Sequence, residues 1–129
     1  MTIIDTNVMI PFLKGATEAV NKVHEVSNND GVSITVITAY ELLKGARLSS
    51  KPQENLVDVK KAISSMQILD FSSEACEEAS FIFCELKKSG KMISELDILI
   101  AAIAKTNGET ILTYDQHFKT IKGLQLVNW

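Results

Sequence analysis

Short apolar runs alternate with longer amphipathic stretches along the chain, a pattern that predicts β–α units. Thr2–Ile4 reads as a short strand ending at Asp5, and Asn7–Leu13 as a short helix that Pro11 can break or kink. Thr17–Ser27 carries Ala19, Val20, Val23 and Val26 at helical spacing, and Asn28–Gly31 is a turn cluster. Val32–Ile37 is β-branched and strand-like, and Thr38 is placed to cap a helix over Ala39–Ala46. After a loop at Leu48–Pro52, Pro52–Ser64 reads as a helix with proline in its first turn. Gln67–Leu69 is a strand, and Ser72–Lys88 is a long helix with Ala75, Ala79, Ile82, Phe83 and Leu86 on its apolar face. Ser94 can cap a helix to about Thr106 that Gly108 ends. Thr110–Thr113 is a strand, His117–Lys119 a helical turn, and Leu124–Val127 a last strand.

Four or five strands separated by helices predict a three-layer α/β/α fold with a mostly parallel four- to five-stranded sheet. No linker or repeat interrupts residues 1–129, which read as one domain. Ligands of such open sheets bind beyond the carboxyl ends of the strands, near a topological switch point.

Acids recur at that edge. Asp5 ends the first strand, Glu41 lies early in the helix after the second, Asp97 lies in the first turn of the Ser94 helix, and Asp115 follows the Thr110–Thr113 strand. Asp97 is the most informative, because it is the only charge in the apolar stretch Leu96–Ala104 and has no lysine or arginine in the same turns. A carboxylate in such a helix is costly unless it is paired, ligates a metal or protonates. Four carboxylates on one rim raise one another's pKa values, and a divalent cation reverses that repulsion. An all-oxygen set points to Mg²⁺ or Mn²⁺ rather than zinc. Each acid also has a capping reading: Thr38-x-x-Glu41 and Ser94-x-x-Asp97 fit capping boxes, Asp5 can cap the helix after the first strand, and Asp115 the short turn after it. Capping suits Glu41 and Asp115 taken singly, Asp5 is even, and Asp97 leans to chemistry. Asp70 opens the helix-start sequence Asp70-Phe-Ser-Ser-Glu74 and reads as structural.

Composition adds bounds. At 46% hydrophobic and 22% charged, the chain can bury an ordinary core and is neither disordered nor a coiled coil. The longest uncharged apolar run, Ile98–Ala104, is far short of a membrane span, and no leader is visible, so cytoplasm is the expected location. Cys76 and Cys84 lie ~12 Å apart along one helix, too far to bridge each other, and read as buried thiols. A net charge of −3 argues at first against nucleic acid as a partner.

Four segments resemble, in order, the motifs of PIN-domain proteins: Ile4-Asp5-Thr6-Asn7-Val8-Met9-Ile10, Thr38-Ala39-Tyr40-Glu41-Leu42-Leu43-Lys44-Gly45-Ala46, Ile93-Ser94-Glu95-Leu96-Asp97-Ile98-Leu99-Ile100-Ala101-Ala102, and Leu112-Thr113-Tyr114-Asp115-Gln116-His117-Phe118. Gly123-Leu124 and a terminal Trp129 extend the match, and the size and motif set are closest to VapC-type toxins of toxin–antitoxin pairs. The one departure is Lys122 where many relatives have proline before the glycine. The resemblance implies an α/β/α fold and an endoribonuclease using one or two Mg²⁺ or Mn²⁺ ions, leaving a 5′-phosphate and a 3′-hydroxyl. It implies Asp5, Glu41, Asp97 and Asp115 as catalytic metal ligands. Asn7 would orient Asp5 or a water, Thr113 would supply a hydroxyl near the metal, and Glu95 would be an auxiliary acid. It further implies a small antitoxin partner and a homodimer.

Lys14, Lys44, Arg47, Lys51, Lys119 and Lys122 come after the acidic motifs and could contact RNA phosphates, although each alone is an ordinary surface cation. Tyr40 could stack on a base, Phe118 is better placed for packing, and His24 and His117 read as structural or surface. Two rivals are a binding-only scaffold of the same fold and an aspartyl-phosphate protein with Asp5 as phosphoacceptor. The first has no need to keep four repelling acids, and the second lacks the DxD pair or the partner lysine. With four of the 16 acids assigned to a metal site, the remaining acids are outnumbered by 13 lysines and arginines. The acidic balance thus largely reflects that site, and RNA binding is expected to need divalent metal.

Overall fold

The computed structural model describes residues 1–127, so the terminal Trp129 of the resemblance lies outside the described residues. Strands β1 (Thr2–Ile4), β2 (Val32–Thr35), β3 (Gln67–Leu69) and β4 (Thr110–Leu112) form one sheet in the order β3-β2-β1-β4, and every pairing is parallel. Six helices flank it: α1 (Thr6–Leu13), α2 (Thr17–Asp30), α3 (Val36–Leu48), α4 (Pro52–Ser64), α5 (Ser73–Ser89) and α6 (Glu95–Asn107). The expected three-layer α/β/α architecture is therefore present. The last strand is reduced to one parallel bridge, Ile111 with Leu126, flanked by two backbone hydrogen bonds.

Alternation along the strands divides the core in two. Ile4, Ile34 and Leu112 face α1–α4, packing with Val8, Met9, Val23, Leu42 and Val59. Ile3 and Ile111 face α5 and α6, packing with Ile82, Leu86, Ile98, Ile100 and Phe118. α5 and α6 pack against each other, and Lys105 near the end of α6 pairs with Glu78 in the first half of α5 at 2.7 Å. Segment 90–94 joins α5 to α6. The start of α6 lies at the sheet edge from which β1 and β4 emerge, where Asp97 is within electrostatic reach of Asp5 and Asp115.

The boundaries differ from expectation where a side chain overrides local propensity. The β-branched Val36 and Ile37 are helical rather than strand. Thr35, not Thr38, is the N-cap of α3, its hydroxyl accepting from the Thr38 N–H at 3.2 Å. Thr38 is fully buried. The Asn28–Asp30 turn cluster continues α2, which ends only at Gly31. Pro11 sits inside α1 without ending it. Cys76 and Cys84 are exposed rather than buried, because Ala75, Ala79, Ile82 and Leu86 take the buried face of α5 and each cysteine falls off it. Among the described residues, no helix is long and apolar enough to cross a membrane.

Gly108 ends α6 as expected. It takes a left-handed conformation at φ 65°, and the Glu109 N–H donates to the Ala104 carbonyl at 2.9 Å. A Cβ at Gly108 would meet nothing within 4 Å, so its cost is conformational alone. Gly108→Ala is expected to lower stability by about 1 kcal/mol in chemical denaturation. An unchanged midpoint would contradict that account.

Candidate active site

The strand order places a reversal beside β1. The chain steps outward through β2 and β3 on one side of β1, then crosses to add β4 on the other. The carboxyl ends of β1 and β4 border the resulting crevice. Asp5 directly follows β1 there, tied to β4 by its own N–H, which donates to the Leu112 carbonyl at 2.9 Å. It is also the N-cap of α1 and only 3% exposed. Asp5 therefore caps α1 and borders the crevice at once. Its Oδ1 accepts from the Thr6 N–H at 2.8 Å, and its Oδ2 from the Thr113 hydroxyl at 2.7 Å.

Glu41 lies in the second turn of α3, so it belongs to no capping box. Its Oε1 accepts from the Thr6 hydroxyl at 2.7 Å. Asp115 caps the short 3₁₀ helix Gln116–Thr120, as its capping reading expects, with Oδ1 accepting from the His117 N–H at 2.8 Å. The Asp115 N–H in turn donates to the Thr113 hydroxyl at 2.9 Å. Asp97, in the first turn of α6, is half-buried, and no described residue donates a hydrogen bond to it. Ser94 stands at the N-cap position without a side-chain capping bond, which leaves Asp97 outside any capping box. The deeply buried acid of the set is thus Asp5, since α6 buries its face from Ile98 onward.

The four charges act on one another. Burial pushes Asp5 up to about 6; hydrogen bonds from Thr113 and Thr6 pull it back down, and repulsion from Glu41 and Asp115 raises it. Burial likewise pushes Asp97 to about 6, with repulsion from Asp5, Asp115 and Glu41 adding to it and His117 opposing. Among the described residues, no group of three acid, imidazole or thiol side chains is gathered tightly enough to enclose an ion as it stands. Glu41 and Asp115 each have one oxygen engaged by a protein donor, Oε1 by the Thr6 hydroxyl and Oδ1 by the His117 N–H. The donor chemistry still suits a hard cation that keeps several waters and needs only one or two carboxylates at close range.

The auxiliary assignments fare unevenly. Thr113 is buried and linked to Asp5 and Asp115 as above. Asn7 does not bond Asp5; its Oδ1 accepts from the Tyr114 N–H at 3.2 Å and lies 3.3 Å from the Thr113 hydroxyl, so it acts on Asp5 only through that loop. Glu95 is exposed along the α5–α6 groove, and its charge is not among those acting on Asp5 or Asp97.

The basic candidates do not form one patch. Lys14 lines a groove of about 390 Å³ between α1, α3 and α4 that reaches Glu41. Lys44 and Arg47 lie on the outer face of α3, where the Lys44 ammonium sits 5.2 Å from the Tyr40 ring centre. Lys51 and Lys119 are exposed, and Lys122 borders the far groove with Lys105. Phe118 is fully buried, as its packing role requires.

Sequence reasoning missed three residues here. Thr6 and Thr38 fall within the motif segments but carry no charge to single them out, although Thr6 contacts two of the four acids. His117, expected to be structural or surface, is a 76% exposed ring whose Nδ1 lies 3.1 Å from Asp115 Oδ1. Its i,i+2 spacing from Asp115 was the available signal.

The sequence profile of the PIN domain matches residues 2–124. The chain belongs to the PIN-domain family. This PIN domain is 30% identical over 127 residues to the tRNA(fMet)-specific endonuclease VapC of Salmonella typhimurium, covering 98% of this chain and 96% of the relative. It is also 30% identical over 128 residues to ribonuclease VapC2 of Haemophilus influenzae, with the same coverage. Among solved structures it resembles VapBC2 of Rickettsia felis bound to a promoter DNA fragment, with TM-score 0.91, 28% identity, and 99% and 98% of the two chains covered. The DNA-bound VapBC of Salmonella typhimurium is similar at TM-score 0.90 and 29% identity, covering 99% and 97%.

The raised carboxyl values set a pH dependence. A folded-state pKa near 6 against an ordinary value of 3.8 means that the folded state holds its protons longer than the unfolded chain. The contribution of Asp5 and Asp97 to stability is therefore full below about pH 4 and is lost as pH rises through 6. Urea unfolding of metal-free protein should show that loss between pH 4 and 6, and Asp5→Asn should flatten it. An equally steep loss in the variant would contradict the assignment.

Proposed function

We propose that this PIN domain is a metal-dependent endoribonuclease, the toxin of a toxin–antitoxin pair. The carrying observation is the meeting of Asp5, Glu41, Asp97 and Asp115 at the switch point of a chain aligned along nearly its whole length with VapC ribonucleases. Mg²⁺ or Mn²⁺, one or two ions held by these four carboxylates, would supply Lewis acidity at the scissile phosphate and lower the pKa of the attacking water. Thr6 and Thr113 hold Asp5 through both of its oxygens, so this ligand is fixed before anything binds. Asp97, with no donor among the described residues, keeps its lone pairs for whatever enters the crevice. Lys14 stands in the groove that leads to Glu41 and can meet a phosphate flanking the cut. Lys44, Arg47, Lys51 and Lys119 would contribute to more distant backbone contacts.

A cognate antitoxin is the proposed protein partner, supported by the VapBC complexes that the fold resembles. Exposed apolar side chains such as Tyr40, Leu48, Phe81 and Met92 offer surface for the antitoxin or for a second copy in a homodimer.

The test is cleavage of a panel of RNAs that includes initiator tRNA, with Mg²⁺, Mn²⁺ or chelator. Cleavage should require divalent metal, and Asp97→Asn should lower it by about 100-fold or more while keeping the thermal midpoint. Undiminished cleavage by that variant, or cleavage in chelator, would contradict the reading.

A further inference from the structure

Thr6 is the first residue of α1 and stands between two acids on different elements. Its N–H donates to Asp5 Oδ1 at 2.8 Å, and its hydroxyl lies 2.7 Å from Glu41 Oε1. The same hydroxyl lies 2.9 Å from the hydroxyl of Thr38, which is fully buried one turn before Glu41 on α3. A hydroxyl has one proton to give, and an ionised carboxylate can only accept. The Thr6 proton is therefore committed to Glu41, and Thr38 donates to the Thr6 oxygen. That order makes a directed chain, Thr38 to Thr6 to Glu41, ending at a half-buried carboxylate. Glu41 has three rotatable bonds, is repelled by Asp5, and borders an open groove into which it could swing. No other described residue donates to it.

We propose that Thr6 is a positioning residue that holds Glu41 toward Asp5, so that two carboxylates from separate elements are presented together to a divalent cation. The proposal rests on the metal-dependent reading above. A hydrogen-bond partner behind a metal ligand is worth about 10- to 100-fold in affinity or activity.

The test compares Thr6→Val, which keeps the shape and removes the donor, with Thr6→Ser, which keeps the donor and removes a methyl. Mn²⁺ affinity is measured by calorimetry, and cleavage is followed against metal concentration. Thr6→Val should weaken Mn²⁺ binding about ten-fold and raise the metal needed for half-maximal cleavage in step, with little loss at saturating metal. Thr6→Ser should stay close to wild type, and Thr6→Val should add nothing in a Glu41→Ala background. Wild-type affinity in Thr6→Val, equal losses in the Val and Ser variants, or additive losses with Glu41→Ala would each overturn the proposal. If Thr6→Val fails to fold, Thr6→Ala takes its place in the same comparisons. If the wild type neither binds metal nor cleaves RNA, the functional reading fails. The Thr6 assignment is then decided by metal-free crystal structures: a Glu41 carboxylate displaced in Thr6→Val supports it, and an unmoved one overturns it.

Discussion

Four like charges brought to one crevice are the constraint on which the rest of this structure turns. Burial raises the pKa of an acid and crowding with other acids raises it further, at a cost in stability, and here Asp5 and Asp97 are both pushed up to about 6. The fold offsets part of that cost with donors that carry no charge. The Thr113 hydroxyl and the Thr6 N–H serve Asp5, the Thr6 hydroxyl serves Glu41, and the His117 N–H serves Asp115. Neutral donors stabilise the ionised acids without neutralising them, as a lysine or arginine would. A bound cation would therefore still meet an electronegative crevice.

The topology makes that gathering possible with strands of only three or four residues. In a parallel sheet every strand leaves by the same edge, and the order β3-β2-β1-β4 opens a crevice between α1 and the loop after β4. The first turn of α6 lies at that same edge, within electrostatic reach of Asp5 and Asp115. Its apolar length, from Ile98 to Ala104, anchors it in the core and holds Asp97 at the rim. Asn7 and Thr113 then lock the start of α1 to the end of β4.

Periodicity carried most of the fold, because strands and helices that pack on a two-sided sheet must repeat at 2 and 3.6 residues. The four acids were legible because charge stands out against apolar surroundings and the strand–helix alternation put them on one rim. Hydroxyl chemistry was not. Thr35, Thr38 and Thr6 look alike in a sequence, and only tertiary placement makes one a cap, one a buried relay and one a donor to two acids. The run Val32–Ile37 misleads for the same reason, since a single capping hydroxyl turned its last two residues into helix. The cysteines misled because thiols are commonly buried, whereas the phase of α5 leaves both on the surface. Glu95 misled because it is two residues from Asp97, a rotation of about 200° on a helix, enough to send it to another face.

The central claim is that these four carboxylates constitute a divalent metal site. Anomalous diffraction from crystals soaked in Mn²⁺ tests it most directly, because the signal locates the ion independently of catalysis and of RNA. The account predicts a peak in the crevice between β1 and β4, within ligand distance of Asp5 and Asp97. A peak elsewhere on the molecule, or none in the crevice at millimolar Mn²⁺, would contradict it.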